Sequence, residues 1–261
     1  MEVKLQGERE TAVRLHGGTG ASPRNLSANT RRRRNAIVTR RLAKLYGNGV
    51  TRVVALKDVN LTVKKGEFIA VLGPSGSGKT TLLNMLGALD RPTSGQVFID
   101  GVQTSGVSES RLYEVRRNKL GFIFQTYYLV PTLSARQNVL TPVLPLGKDG
   151  RYEKRAEGLL GMVGLKRRMH HKPSELSGGE QQRVAIARAL ILGPGVILAD
   201  EPTGNLDSKT GAQIIRLLRW LNKKHGVTFI VVTHDHRVAE VADRVLYLHD
   251  GRLSSIAPTG S

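Results

Sequence analysis

The chain has 261 residues, enough for one large domain or two small ones around a sizeable core. Apolar residues make up 39% and glycine occupies 29 positions, a globular composition that excludes wholesale disorder, collagen and a coiled-coil rod, while the lack of cysteine excludes disulfide frameworks, thiolate metal sites and cysteine nucleophiles. The formal charge of +19 asks for an anionic partner, whether nucleic acid, an acidic membrane or phosphates.

The first 36 residues carry eight basic side chains against three acids, a net +5 that leaves +14 for the rest. With few large apolar groups, residues 1–36 are expected to form a disordered basic tail. The run Arg31 to Arg34 offers attraction to an anionic membrane surface, and a misassigned start codon would explain the tail equally well. The N-terminus lacks the apolar stretch of a secretory signal, and no window approaches the roughly 18 apolar residues of a membrane span.

Beyond the tail, extended and helical patterns alternate. Val53 to Leu56 and Val59 to Val63 read as two half-buried strands, and Lys65-Gly66 as a turn. The apolar run Phe68 to Leu72 suits a buried strand and enters a Gly-rich loop, after which Thr80 to Leu89 reads as a helix. Strands follow at Gln96 to Ile99 and Leu120 to Phe124. Leu133 to His171 has helical patches and no strong strand. A helix (Glu180 to Leu192), a strand (Val196 to Ala199), a helix (Lys209 to Lys224) and strands at Thr228 to Val232 and Arg244 to Leu248 complete the chain. Such alternation points to a mainly parallel α/β sheet.

Gly73, Pro74, Ser75, Gly76, Ser77, Gly78, Lys79 and Thr80 match the phosphate-loop pattern between a predicted strand and a predicted helix, with Thr81 following. Glycines there let backbone N–H groups converge on an anion, and the helix end adds unpaired donors and a positive dipole. Lys79 supplies a point charge for nucleotide β- and γ-phosphates, and the Thr80 hydroxyl can ligate Mg²⁺. Asp200-Glu201 ends an apolar strand, where a cation would compensate Asp200 and leave Glu201 to orient or deprotonate a water. Taken alone, the pair reads equally well as a solvated loop.

Leu176, Ser177, Gly178, Gly179 and Glu180 precede a helix and form a second anion cradle, or in isolation an ordinary helix cap at Ser177. With the phosphate loop and Asp200-Glu201, this segment resembles the signature of ATP-binding cassette (ABC) ATPases over about residues 37 to 253. The resemblance implies an α/β, P-loop NTPase of ABC ATPase type: a mainly parallel core sheet with an antiparallel β part, and a helical subdomain at roughly 126–175 of a domain spanning 37–261.

It further implies roles. Tyr46 is similar to the aromatic that stacks on adenine, and Gln125 to the glutamine that senses Mg²⁺ and water. Asp207 resembles the D-loop residue facing an opposing subunit, and His234 the switch histidine at the γ-phosphate. Thr80, Gln125 and Asp200 would then surround Mg²⁺, and Glu201, His234 and Gln125 would serve hydrolysis. The remaining histidines receive plain readings: His170-His171 suits no metal spacing, and His236 reads as loop. Tyr127 and Tyr128 belong either to the helical core or to a docking surface, with docking favoured.

The runs at Gly73 to Lys79, Leu89 to Gly95 and Ala199 to Asp207 look like the subgroup of macrolide and antimicrobial-peptide exporters, lipoprotein-release ATPases and a cell-division ATPase. This implies an ATP-hydrolysing transporter subunit that acts with a second ATP-binding subunit, expected as a homodimer, and a separate transmembrane permease at the cytoplasmic face of the membrane. Export or extraction of a membrane-associated substrate is the implied task. A cell-division regulatory or nucleic-acid-associated ABC ATPase is the alternative, although no tandem cassette, zinc module or long coiled coil accompanies the charge. Gln137 stands where the family usually has Glu, which removes an acidic contact to the permease. The glycines of Leu192-Gly193-Pro194-Gly195 are unexplained by the pattern.

Overall fold

A computed structural model describes residues 35–147 and 150–256. Residues 1–34 of the expected tail lie outside the described residues. Asn35 and Ala36, assigned above to that tail, instead open a strand.

In chain order the elements are β1 (Asn35–Tyr46), β2 (Val53–Lys64), β3 (Phe68–Leu72), α1 (Lys79–Leu86), β4 (Ser94–Ile99), β5 (Val102–Gln103), α2 (Glu109–Lys119), β6 (Leu120–Ile123), α3 (Ala135–Leu140), α4 (Gly150–Met162), α5 (Gly178–Leu190), β7 (Val196–Asp200), α6 (Ser208–His225), β8 (Thr228–Thr233), α7 (His236–Val241), β9 (Arg244–His249) and β10 (Arg252–Ser254). They build two sheets: an antiparallel one in the order β2-β1-β4-β5, and a six-stranded one in the order β10-β9-β3-β8-β7-β6. The latter is parallel except for the β9–β10 pair.

The parallel sheet is buried on both faces, which is why its strands read as unbroken apolar runs. Side chains alternate between two cores. Phe68, Ala70, Ile197, Ala199, Phe229 and Val231 face a helical core with residues of α3 to α7. Ile69, Val71, Val196, Leu198, Ile230 and Val232 face the other core, shared with α1, α2 and the antiparallel sheet. Helices α3 and α4 therefore pack on the same core as α5 and α6.

Besides the short strands β5 and β10, which the sequence pattern does not mark, four elements depart from expectation. β1 shows no strand alternation in the sequence because Arg41 adopts a left-handed backbone (φ 45) at a register shift between Thr39 and Leu42. A matching irregularity at Asp58 (φ 53) makes one strand, β2, look like two. α2 was missed because only Leu112 and Val115 of its eleven residues are buried. His236, expected in a loop, is the first residue of α7, which Asp235 caps by accepting from the Arg237 N–H. The glycines after α5 now have an account: Gly193 takes a left-handed φ of 70, and Thr228 N–H bonds the Gly195 carbonyl. That tight turn feeds the helix directly into β7.

Asp243, just before β9, fastens the sheet to α6. It accepts from Phe68 N at 2.9 Å, from both Arg219 terminal nitrogens at 3.0 and 2.7 Å, and from Lys223 at 3.3 Å. The Arg219 guanidinium holds this carboxyl well below the usual carboxylate range. A depressed folded-state pKa gives stability that is complete above the unfolded value, near 3.9, and is lost as pH falls through the folded one. Asp243→Ala is expected to destabilise the fold by about 2 kcal/mol at neutral pH. Urea unfolding at pH 7 and below pH ~3 should show that gap narrowing in acid.

Candidate nucleotide site

The carboxyl ends of four neighbouring strands meet at one edge, where open α/β sheets place their ligands. β3 delivers the phosphate loop, β8 delivers His234, β7 delivers Asp200-Glu201, and β6 leads to Gln125. The register brings these ends level: Leu72 lies beside Thr233, Val232 beside Asp200, and Ala199 beside Ile123. Four motifs separated in sequence thus converge through strand pairing alone.

The loop Gly73–Thr80 caps α1. Gly78 is its N-cap with φ 101, and a Cβ there would lie 2.4 Å from the Ala55 carbonyl oxygen, so only glycine fits. Lys79 donates to the carbonyls of Gly73 (2.8 Å) and Pro74 (3.0 Å), with its Nζ 3.9 Å from Glu201 Oε1. The Ser77 hydroxyl is buried within the loop without a hydrogen-bond partner. A cationic tip parked on carbonyls and an orphaned hydroxyl are what a missing oxyanion would satisfy.

Asp200 is pushed toward a raised pKa by burial, with the Glu201 charge adding to the effect and the Thr80 hydroxyl and Lys79 opposing it. A hard cation beside it would relieve that cost, and the Thr80 and Asp200 oxygens are the donors Mg²⁺ prefers. The residues therefore fit such an ion.

Glu201 sits in a left-handed backbone conformation (φ 45), uncommon for a residue with a side chain. Its carboxylate is fully engaged. Oε2 accepts from the Thr233 hydroxyl at 2.7 Å and from His234 N at 3.3 Å, and Oε1 lies 3.0 Å from His234 Nδ1. Thr233 was not singled out in the sequence, although a polar residue ending the apolar run Phe229–Val232 was a usable signal.

Gln125 and the D-loop are tied together. Gln125 Nε2 donates to Asn205 Oδ1 (3.1 Å), and Asn205 Nδ2 returns a bond to the Gln125 carbonyl (3.0 Å). Asp207 caps α6 by accepting from the N–H groups of Lys209 and Thr210. Tyr46 donates to Asp90 Oδ2 at 2.8 Å and carries the Lys44 ammonium 4.7 Å over its ring. Burial and Asp90 raise its pKa, and the nearby Thr81 hydroxyl opposes them. Asp90 left no mark in the sequence as a partner of Tyr46.

The signature lies elsewhere. Ser177 and Glu180 form a capping box on α5, with Glu180 N to Ser177 Oγ at 3.3 Å and Ser177 N to Glu180 Oε2 at 2.9 Å, and Arg168 lies 3.6 Å from Glu180. Leu176 is buried in the helical core, and Gly178 and Gly179 form the first turn. α5 packs on α3, α4, α6 and β6, whereas α1 packs on β2, β4, β7 and β8. The two cradles share no packing neighbour among these. Gln137 is likewise a helix-cap partner, accepting from Ser134 N at 2.8 Å.

A family model described as ABC transporter matches residues 56–204, more than half of the chain. The chain belongs to the ABC transporter ATPase family. It is 49% identical over 224 residues to an uncharacterized ABC transporter ATP-binding protein (MJ0796) of Methanocaldococcus jannaschii, covering 83% of this chain and 94% of that protein. It is 48% identical to the lipoprotein-releasing system ATP-binding protein LolD of Legionella pneumophila, covering 83% and 96%. Identity to the macrolide export ATP-binding/permease protein MacB of Bartonella henselae is 49%, over 83% of this chain and 33% of that longer one. Among solved structures, a dimeric post-hydrolysis state of the MJ0796 cassette bound to ADP and Pi matches with a TM-score of 0.76 at 47% identity, over 83% of this chain and 96% of that one. The ABC cassette therefore binds and hydrolyses ATP, and its relatives bear out the lipoprotein-release and macrolide-export likeness of its motifs. Among the described residues, no helix is long and apolar enough to cross a membrane.

Proposed function

We propose that two copies of this chain close on ATP, each nucleotide held between the phosphate loop of one copy and Ser177–Glu180 of the other, and that this cycle drives a separate permease. The observation that carries the reading is the separation just described: within one chain the two anion cradles stand on different helices with different neighbours. The dimeric MJ0796 structure supports it.

In this reading the loop N–H groups, Ser77 and Lys79 hold the phosphates, and Tyr46 and Thr81 flank the nucleotide beside α1. Thr80, Asp200 and Gln125 would hold Mg²⁺, which supplies charge neutralisation of the phosphates when bound. Glu201 accepts the proton of the attacking water. His234 and Thr233 fix the orientation of its carboxylate through the three contacts above. Asp207 sets the start of α6 at the subunit junction. Gln125 would exchange its Asn205 bond for the ion.

The permease reading has its own support. A groove of about 790 Å³ opens between α2, β6 and the turn after α3. Aromatic side chains Tyr113, Phe122, Phe124 and Tyr128 line it with Pro142 and Pro145, and Arg116, Arg117 and Arg188 add positive charge. Tyr113 and Tyr128 are exposed, and clustered exposed aromatics mark a docking surface. A transmembrane permease seated there would hold the chain at the cytoplasmic face of the membrane, where the charge of the Arg31–Arg34 run would favour anionic lipid. The LolD and MacB likeness favours extraction or export of a membrane-associated substrate. Tyr113→Ala should leave the basal ATPase of the isolated chain within about twofold and abolish its stimulation by the permease co-purified with it. Stimulation that survives this change would count against the groove as the docking site.

A further inference from the structure

Gln182 lies fully buried in α5, five residues after the cap at Ser177. Its Nε2 donates to the Pro202 carbonyl at 2.6 Å, and its Oε1 is buried with no hydrogen-bond partner. A buried amide with one half unsatisfied costs stability, so an apolar residue of similar volume would suit a plain packing position better. The one bond it makes lands on the residue directly after Glu201.

The turn that receives this bond is a junction. Gly204 N–H closes it onto the Glu201 carbonyl at 3.0 Å. The Thr203 hydroxyl donates to Asp235 Oδ2 at 3.0 Å, next to His234. Asn205 holds Gln125. Gln182 makes a polar contact between the signature helix and this junction, beside the packing of Gly178 near Leu206.

We propose that Gln182 is a positioning residue that couples the signature end of α5 to the Glu201 turn, so that the nucleotide engaged at Ser177 aligns Glu201 on this chain's own nucleotide. The proposal rests on the two-copy reading above. Ser177 and Gln182 are about 7.5 Å apart along one helix, which moves as a unit. The capping box stiffens the end that meets the partner's phosphate. A shift of α5 at Ser177 is delivered to Pro202 through a single short bond, and Glu201, already strained, is the neighbouring residue. Each of the two nucleotides thereby informs the catalytic turn serving the other.

The test is Gln182→Met in the full chain, which keeps the volume, removes the donor to Pro202 and removes the unpartnered Oε1 with it. ATP dependence of steady-state hydrolysis and thermal unfolding are read together. The expected result is an unchanged or raised Tm, kcat lower by about tenfold, KM within about twofold, and a Hill coefficient that falls toward 1. A merely structural role would lower Tm without that split. If Gln182→Met does not fold, Gln182→Leu, which also removes the donor without burying a charge, is read the same way. Wild-type kcat and Hill coefficient in the folded variant, or a wild-type Hill coefficient of 1, overturn the coupling. Size-exclusion of Glu201→Gln with ATP separates the two ideas. If it forms a dimer while Gln182→Met behaves as wild type, only the coupling fails; if it stays monomeric, the two-copy reading fails with it.

Discussion

Replacing Glu201 with Gln is expected to lower ATP turnover by about 10²–10⁴-fold while leaving ATP binding intact, the range lost when a positioned general base is removed. The geometry explains why binding survives. Glu201 makes no bond to the phosphate loop beyond the 3.9 Å approach of Lys79, and Lys79 is also held by the Gly73 and Pro74 carbonyls. A glutamine amide oxygen can still accept from the Thr233 hydroxyl and His234 N, so the strained turn keeps its supports. What disappears is an acceptor for the water's proton. Removing that negative charge also lifts its repulsion of the phosphates and of Asp200. ATP binding should therefore be equal or tighter, and the closed pair of chains should accumulate. Phosphate release under single-turnover conditions, with size-exclusion in the presence of ATP, reads both effects. Turnover at the wild-type rate would remove Glu201 from the catalytic role.

How much of this was readable beforehand depends on the range of each interaction. Phe68–Leu72, Val196–Asp200 and Thr228–Thr233 were legible because strands buried on both faces carry unbroken apolar runs. The phosphate loop, signature and acidic pair were legible because each is a compact string whose chemistry is local. β1 was not, since a left-handed arginine resets its alternation, and α2 was not, since it buries two side chains and shows the rest to solvent. The ties between motifs had no local pattern at all. Gln125 and Asn205 are 80 residues apart, and Gln182 and Pro202 are 20 apart, with nothing in either string to announce the pair. Strand pairing creates those contacts, so they exist only once the sheet order is known.

Lys79→Ala should act on the opposite step, at binding rather than chemistry. In the structure the Lys79 ammonium donates to two carbonyls of its own loop. On binding, its three donors exchange two carbonyls for phosphate oxygens, and the exchange is favourable because the new acceptors carry full charge. A hydrogen bond to a charged group is worth about 1.5–3 kcal/mol, so the Kd for ATP should rise about 10- to 150-fold. The loss should grade with the phosphate chain. It should be largest for ATP, smaller for ADP and near zero for AMP, because in the proposed site Lys79 would address the distal phosphates and Tyr46 the base. Hydrolysis falls in step because the site stays empty, in contrast to Glu201→Gln, where it stays full. Calorimetric titration of the three nucleotides into both proteins measures the gradient. Equal weakening for ATP and AMP would mean that Lys79 acts only as the brace of the loop, and that the orphaned Ser77 hydroxyl and the backbone N–H groups carry the phosphates without it.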